Sequence, residues 1–219
     1  PKPPCATPVD FVLVLDESGS MRGSMDGLKS FAKRLVGNYA PGPSAARFSV
    51  VSFQSVATTR VGWSTNQVDI NAAIDKMKAH GETSISAGFQ AAGQLFIASR
   101  PGATKIVLLF SDGEQSDDFG GPNRAIASAD IVKESGVTVF AWGFGKDVRL
   151  GTLQQIATDR SKAYTAAEIG ELSGYLAELE AAVCNVSPSP PPMPPSPSVF
   201  FTVVGPCTVD GPCARSPNY

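Results

Sequence analysis

Two stretches are apolar without interruption, Phe11-Val12-Leu13-Val14-Leu15 and Ile106-Val107-Leu108-Leu109-Phe110. A run of strand length with no polar alternation is what a central parallel strand, covered on both faces, requires. Strands are therefore predicted over Val9–Leu15 and Lys105–Ser111. Elsewhere the apolar spacing changes to three and four. Leu28, Phe31, Ala32, Leu35 and Tyr39 form one stripe of a helix that starts at Ser24 and is ended by Pro41-Gly42-Pro43. Ile70, Ala73, Ile74 and Met77 mark a second helix, and Ile85, Phe89, Ala92 and Phe96 a third that stops before Pro101-Gly102. Arg47–Phe53 has strand character, and the polar-studded Val56–Val61 is predicted to fold back along it as an antiparallel edge. A helix over Arg124–Glu134, a strand over Val137–Phe144, a short helix near Leu150–Ala157 and a short strand near Ala163–Thr165 continue the pattern. Ile169, Leu172, Leu176, Leu179 and Val183 then recur at intervals of 3, 4, 3 and 4, which predicts one last helix over Glu168–Val183. Strands and helices in alternation give an α/β fold: a doubly wound (Rossmann-like), mostly parallel six-stranded sheet with one antiparallel edge strand and helices on both faces.

Beyond Cys184 the periodicity ends. Of the 18 prolines in the 219 residues, seven fall between Pro188 and Pro197. Such a segment has no means of building a core and is expected to extend as a polyproline II spacer. Val199–Tyr219 resumes strand-like character but is too short to fold unaided. The expected organisation is a lead-in over residues 1–7, a domain over 8–184, a Pro/Ser-rich linker over 185–198 and the start of a Cys-containing module over 199–219. The chain is thus expected to belong to a larger multi-module protein. A formal charge of −2 excludes a strong basic field, and with it nucleic acid or an anionic membrane as partner. No apolar run approaches the length needed to cross a bilayer.

Four cysteines change the picture again. Cys5 and Cys184 flank the periodic region, and Cys207 and Cys213 lie close together in the tail. Four cysteines allow three pairings, and an oxidising compartment explains them more simply than four free thiols. A bridge between Cys5 and Cys184 would close a loop of nearly the whole domain, an effect of roughly 5 kcal/mol on the unfolded chain. Asn185-Val186-Ser187 is an N-glycosylation sequon followed by Pro188. These features place the protein outside the cell, secreted, in a matrix or at a surface.

The candidate chemistry begins where the first apolar run ends, at Asp16-Glu17-Ser18-Gly19-Ser20. An acid closes the strand, two hydroxyls follow at alternate positions, and a glycine permits the turn between them. Strand tips of this kind are where open α/β sheets hold ligands. Asp16, Ser18 and Ser20 suit a hard divalent cation, but three oxygens leave its shell incomplete. Thr83, within Gly81-Glu82-Thr83-Ser84 ahead of the third helix, and Asp112, at the end of the second buried strand, are the expected additions. Two carboxylates and three neutral hydroxyls balance a divalent cation without over-neutralising it. An octahedral ion keeps one position for water or an incoming ligand, which would favour a partner's carboxylate if the two Asp act partly through water. Helix capping would account for Ser18, Ser20 or Thr83 singly, but not for all five residues together. Glu17, Glu114, Asp117 and Asp118 are expected to be solvated rim charges, His80 a loop residue, and Trp63 and Trp142 packing residues. Gly143-Phe144-Gly145-Lys146 lacks phosphate-loop spacing. No general base is well placed and no nucleophile elbow is present, so metal-assisted hydrolysis is the less favoured reading.

With these residues in order the sequence resembles the von Willebrand factor type A domain with its metal-ion-dependent adhesion site, over about residues 8 to 184. The family's D-x-S-x-S motif is matched by Asp16, Ser18 and Ser20, its threonine by Thr83 and its second aspartate by Asp112 within Phe-Ser-Asp-Gly-Glu. The resemblance implies a site for Mg²⁺ or Mn²⁺ rather than Ca²⁺, and a non-enzymatic adhesion module. Its partner would be an extracellular protein or glycoprotein that presents a carboxylate. Cys5 and Cys184 are similar to the terminal disulfide that some extracellular members carry; Cys207–Cys213 is the second expected pair. Family members switch affinity when the last helix slides, and a Cys5–Cys184 tie implies a weak switch or none. The tail Gly211–Tyr219 resembles the opening of a CUB-type module. The Pro/Ser segment is similar to hydroxyproline-rich spacers of algal and plant extracellular matrix proteins. The competing expectation is a passive structural module of a matrix or surface filament.

Overall fold

A computed structural model describes residues 8–145, 147–167 and 169–184. Its strands are β1 (Val9–Asp16), β2 (Ala46–Phe53), β3 (Ala57–Ser64), β4 (Thr104–Ser111), β5 (Thr138–Phe144) and β6 (Ala163–Ala166). The α-helices are α1 (Met25–Asn38), α2 (Gln67–Asp75), α3 (Ile85–Phe96), α4 (Gly121–Glu134), α5 (Leu150–Ile156) and α6 (Leu176–Cys184). The sheet runs β3-β2-β1-β4-β5-β6, with β3 antiparallel to β2 and every other pair parallel. This is the expected doubly wound sheet with one antiparallel edge.

The burial of each strand follows its sequence. All eight residues of β1 are buried, as an unbroken apolar run demands, whereas β3 is half exposed, as an edge should be. Alternate β1 side chains serve two cores. Phe11, Leu13 and Leu15 meet Leu28, Phe31 and Leu35 of α1, Ile74 of α2 and Leu179 of α6 on one face. Val12 and Val14 meet Phe89 of α3, Ala129 of α4 and Leu153 of α5 on the other. Each large apolar side chain removed from water in this way contributes on the order of 2 kcal/mol. Gly88 of α3 lies so close to β1 that a Cβ there would sit 2.7 Å from Val14 Cγ1, so only glycine permits the approach.

From β1 the chain winds outward through α1 to β2, and from β4 it winds the opposite way through α4 to β5. The crevice between the carboxyl ends of β1 and β4 is therefore the switch point of the sheet, where the connections leave the two strands in opposite directions. Leu15 lies beside Phe110, so Asp16 and Ser111 are neighbours at those tips.

The helix expected from Ser24 runs over Met25–Asn38 with Ser24 as its N-cap, after a 3-10 turn over Gly19–Gly23. One expected element differs. The predicted single helix over Glu168–Val183 is instead a 3-10 segment, Ile169–Tyr175, followed by α6. Gly170 and Gly174 disfavour a continuous helix here, since each glycine costs helix stability, and Tyr175 is engaged by Tyr164 and Trp142 at 4.4 and 6.2 Å between ring centres. The 3-and-4 spacing still buries Leu172, Leu179 and Val183. Among the described residues no helix is long and apolar enough to cross a membrane.

Candidate metal centre

Asp16, the last residue of β1, is wholly buried. Its Oδ1 accepts the Ser18 backbone N–H at 2.8 Å, which closes a tight turn, and its Oδ2 accepts the Ser111 hydroxyl at 2.6 Å. The Ser18 and Ser20 hydroxyls lie 3.0 Å apart, and the Ser20 hydroxyl donates to Asp112 Oδ1 at 2.8 Å. Four of the five candidate side chains thus form one continuous polar chain across the tips of β1 and β4.

Thr83 arrives on the connection between α2 and α3, a segment without regular structure from Lys76 to Ser84. The Gly19 N–H donates to the Gly81 carbonyl at 2.9 Å and the His80 N–H to the Glu17 carbonyl at 2.8 Å. On its other side the Thr83 N–H donates to Ser116 Oγ at 3.2 Å, and the Ser116 N–H returns a bond to the Thr83 carbonyl at 2.9 Å. The threonine is half-buried between the Asp16–Ser20 loop and the loop after β4. Gly81 has φ +72°, and a Cβ there would meet Gln54 Oε1 at 2.6 Å, so this turn needs glycine.

Charge separates Asp16 from the other buried acids. Asp10, at the opposite end of β1, is met by Arg47 and Arg100 at 2.8 Å, with Ser99 adding a third donor. Glu17 is paired with Arg60. Among the described residues neither Asp16 nor Asp112 has a cationic partner. Burial pushes the Asp16 carboxyl up to about 6, against the opposing bonds from Ser111 and Ser18, and the Asp112 charge adds to the rise. Asp112 is likewise raised, by burial first and by the charge of Asp147. At Asp10 burial acts in the same direction, but the Arg47, Arg100 and Ser99 bonds outweigh it and hold that carboxyl low.

The donor set suits a hard divalent cation, because every candidate ligand is an oxygen and the buried acid lacks a counter-charge among the described residues. Among the described residues no three of His, Cys, Asp and Glu converge as a metal site. Two carboxylates with three hydroxyls form a different pattern.

Several expectations change. Glu17 is not a solvated rim charge: it is 1% exposed, because Arg60 from β3 and the Ser52 hydroxyl enclose its carboxylate. Glu114 is also engaged, accepting the Thr152 hydroxyl and pairing with Arg149 at 3.6 Å, which ties the β4 loop to α5. Asp117 and Asp118 are exposed, and His80 is an exposed loop residue whose Nδ1 lies 2.6 Å from the Lys78 carbonyl. Trp142 packs in the core, and Trp63 packs on Phe96 with Arg47 over its ring at 4.4 Å. Ser111 and Ser116 escaped the sequence pattern. The signal for Ser111 was its place beside Asp112 at the end of an apolar run; Ser116 had none. The Cys5–Cys184 and Cys207–Cys213 pairs, the Asn185 sequon, the linker and the tail lie outside the described residues, apart from the main chain of Cys184.

Comparison with known proteins follows the same outline. The family model for the von Willebrand factor type A domain matches residues 10–178. The collagen alpha-1(VI) chain of Gallus gallus is 31% identical over 172 residues, which cover 74% of this chain and 17% of the collagen chain. Integrin alpha-E of Mus musculus is 26% identical over 192 residues, covering 81% of this chain and 16% of the integrin. Proximal thread matrix protein 1 from the mussel byssus, in a structure with a zinc-occupied MIDAS motif, superposes with a TM-score of 0.72 at 27% identity. That superposition covers 83% of this chain and 47% of the byssal protein. The chain therefore spans less than a fifth of the length of the collagen and integrin relatives. Matched from its first strand into its last helix, the chain belongs to the von Willebrand factor type A domain family.

Proposed function

We infer that this domain is a metal-dependent adhesion or protein-interaction module that binds an acidic group of its partner through a divalent cation. Asp16, Ser18, Ser20, Thr83 and Asp112 are the proposed holders, and Mg²⁺ or Mn²⁺ the proposed ion. One observation carries the reading. Of the three fully buried acids at the sheet, Asp10 and Glu17 have arginine partners and Asp16 has none among the described residues. A buried carboxylate without a counter-charge is costly, and a bound cation is the usual remedy. When bound, the ion supplies positive charge at the exposed end of the site, where Ser20 reaches solvent.

The zinc-occupied MIDAS of the byssal protein supports a divalent ion at this position. Similarity to a collagen chain, an integrin subunit and a byssal matrix protein supports an extracellular, non-enzymatic setting within a longer chain. The Cys5–Cys184 and Cys207–Cys213 disulfides, glycosylation at Asn185, the Pro/Ser spacer and the CUB-like start belong to the same proposal; non-reducing peptide mass mapping tests the covalent ones. For the binding function, the test is a screen against matrix proteins and glycoproteins with and without EDTA. Capture of a partner should vanish with EDTA and with Asp16→Ala, while circular dichroism of the variant stays native. Capture that survives both treatments overturns the reading, and a site that takes up no ion at millimolar Mg²⁺ favours a passive structural module.

A further inference from the structure

We propose that Glu17 is a positioning residue of the metal centre, one that sets where Thr83 stands relative to Asp16, Ser18 and Ser20. The proposal rests on the metal-binding reading above. Glu17 uses every polar atom it has. Its N–H donates to the Phe53 carbonyl at 2.8 Å, which fixes the start of the Asp16–Ser20 loop to the end of β2. Its carbonyl accepts the His80 N–H at 2.8 Å. Oε1 accepts the Ser52 hydroxyl at 3.0 Å and a bond from Arg60, and Oε2 accepts the Lys78 N–H at 3.2 Å. Arg60 is itself steadied by its Nε, which donates to Ser52 Oγ at 2.7 Å.

Two of these contacts, at Lys78 and His80, fall on the irregular segment that delivers Thr83. That segment has no helix or strand bonds of its own between Lys76 and Ser84, so its path depends on what it is fastened to. Glu17 fastens its first half, the Gly19 N–H holds Gly81 at 2.9 Å, and Ser116 holds Thr83 itself. The ligand loop and the threonine loop are therefore laced together through the residue that sits between the first two ligands. A carboxylate is needed for this. With one end taken by the Arg60 guanidinium and the Ser52 hydroxyl, the other must still accept an N–H, and both oxygens of an ionised acid do so. Glutamine cannot, since its amide nitrogen would face one of those donors.

The experiment is Mn²⁺ titration by calorimetry of the whole chain and its Glu17→Gln, Thr83→Val, double and Asp10→Asn variants, with amide hydrogen exchange of the metal-free proteins. Outer-shell groups that orient metal ligands typically carry about 10- to 100-fold in affinity. Glu17→Gln should weaken Mn²⁺ binding about tenfold or more on that scale. Without metal it should speed exchange at Lys78, whose N–H the side chain accepts, more than at His80, which the Glu17 main-chain carbonyl holds. Because Glu17 acts through Thr83, the double variant should bind no more than about twofold more weakly than Thr83→Val alone, the mark of coupled sites. Asp10→Asn removes a buried acid at the far end of β1; it should lower the melting temperature and leave Mn²⁺ affinity unchanged. If Glu17→Gln does not fold, Ser52→Ala removes one donor while leaving the charge paired, and should weaken Mn²⁺ binding in the same direction. Wild-type affinity in Glu17→Gln, or fully independent losses in the double variant, overturns the positioning role. No Mn²⁺ or Mg²⁺ uptake by the wild type overturns the metal reading itself, and this inference with it.

Discussion

At the scale of the residue, three buried acids lie along one strand and its turn, and their surroundings decide three different fates. Asp10 is held by Arg47, Arg100 and Ser99, so burial, which alone would raise its carboxyl, is overcome and the group titrates low. The sign follows directly: the folded value lies below the unfolded one, so the stability Asp10 contributes is fully present above about pH 4 and is lost as the pH falls through the folded value. Asp10→Asn should cost about 3 kcal/mol at pH 7, because two largely buried arginines lose their partner. The deficit relative to wild type should narrow steadily below pH 4, which urea unfolding across a pH series will measure. None of this was legible in the sequence. Asp10 sits in an apolar run with no mark of its arginines 37 and 90 residues away. Glu17 looked like a loop charge for the same reason, since Arg60 is 43 residues distant. The gathering of Asp16, Ser18, Ser20, Thr83 and Asp112 at one edge of the sheet was legible because each stands near a strand end or ahead of a helix, where the pattern changes.

At the scale of the element, the strands were the readable part. A run that is apolar at every position has one cheap solution, the middle of a parallel sheet, and β1 and β4 take it side by side. The last helix was over-read. Its 3-and-4 spacing does place Leu172, Leu179 and Val183 in the core, but a 3-10 segment and a helix share that task, and spacing alone does not distinguish them. Backbone preference does. Gly170 and Gly174 both have open space where a Cβ would stand, and neither needs a left-handed conformation. Gly174→Ala should therefore raise stability by about 0.5 kcal/mol, partly by restricting the unfolded chain. If glycine is what breaks the helix, the double change Gly170→Ala, Gly174→Ala should also increase the helical circular dichroism signal. An unchanged spectrum with unchanged stability would assign the break to the packing of Tyr175 on Tyr164 and Trp142 instead.

At the scale of the molecule, the winding of the sheet brings together residues far apart in the chain, Asp16 to Ser20, Thr83 and Asp112, each on a separate loop at the same edge. An ion bound by all three loops would cross-link them in the folded state and leave the unfolded chain untouched. Binding to the native state alone stabilises by RT ln(1 + [L]/Kd), or about 2.7 kcal/mol at a hundredfold excess over Kd. Saturating Mn²⁺ or Mg²⁺ should thus raise the melting temperature, and EDTA should return it. Asp16→Asn separates this effect from ordinary packing. It keeps the size of the side chain and its capacity to accept from Ser18 or Ser111, but removes a buried charge that no arginine or lysine among the described residues balances. In EDTA at pH 7 the variant should be at least as stable as the wild type, because an uncompensated buried acid is replaced by a neutral amide. On adding Mn²⁺, the wild type should gain stability and the variant should not. A variant that is several kcal/mol less stable in EDTA would show that Asp16 stabilises the fold without metal, and the argument from its missing counter-charge would fail. Equal gains from Mn²⁺ in both proteins would place the ion elsewhere. The two scans in parallel, with and without metal, therefore test whether the centre of the sheet is built around a charge that only a cation completes.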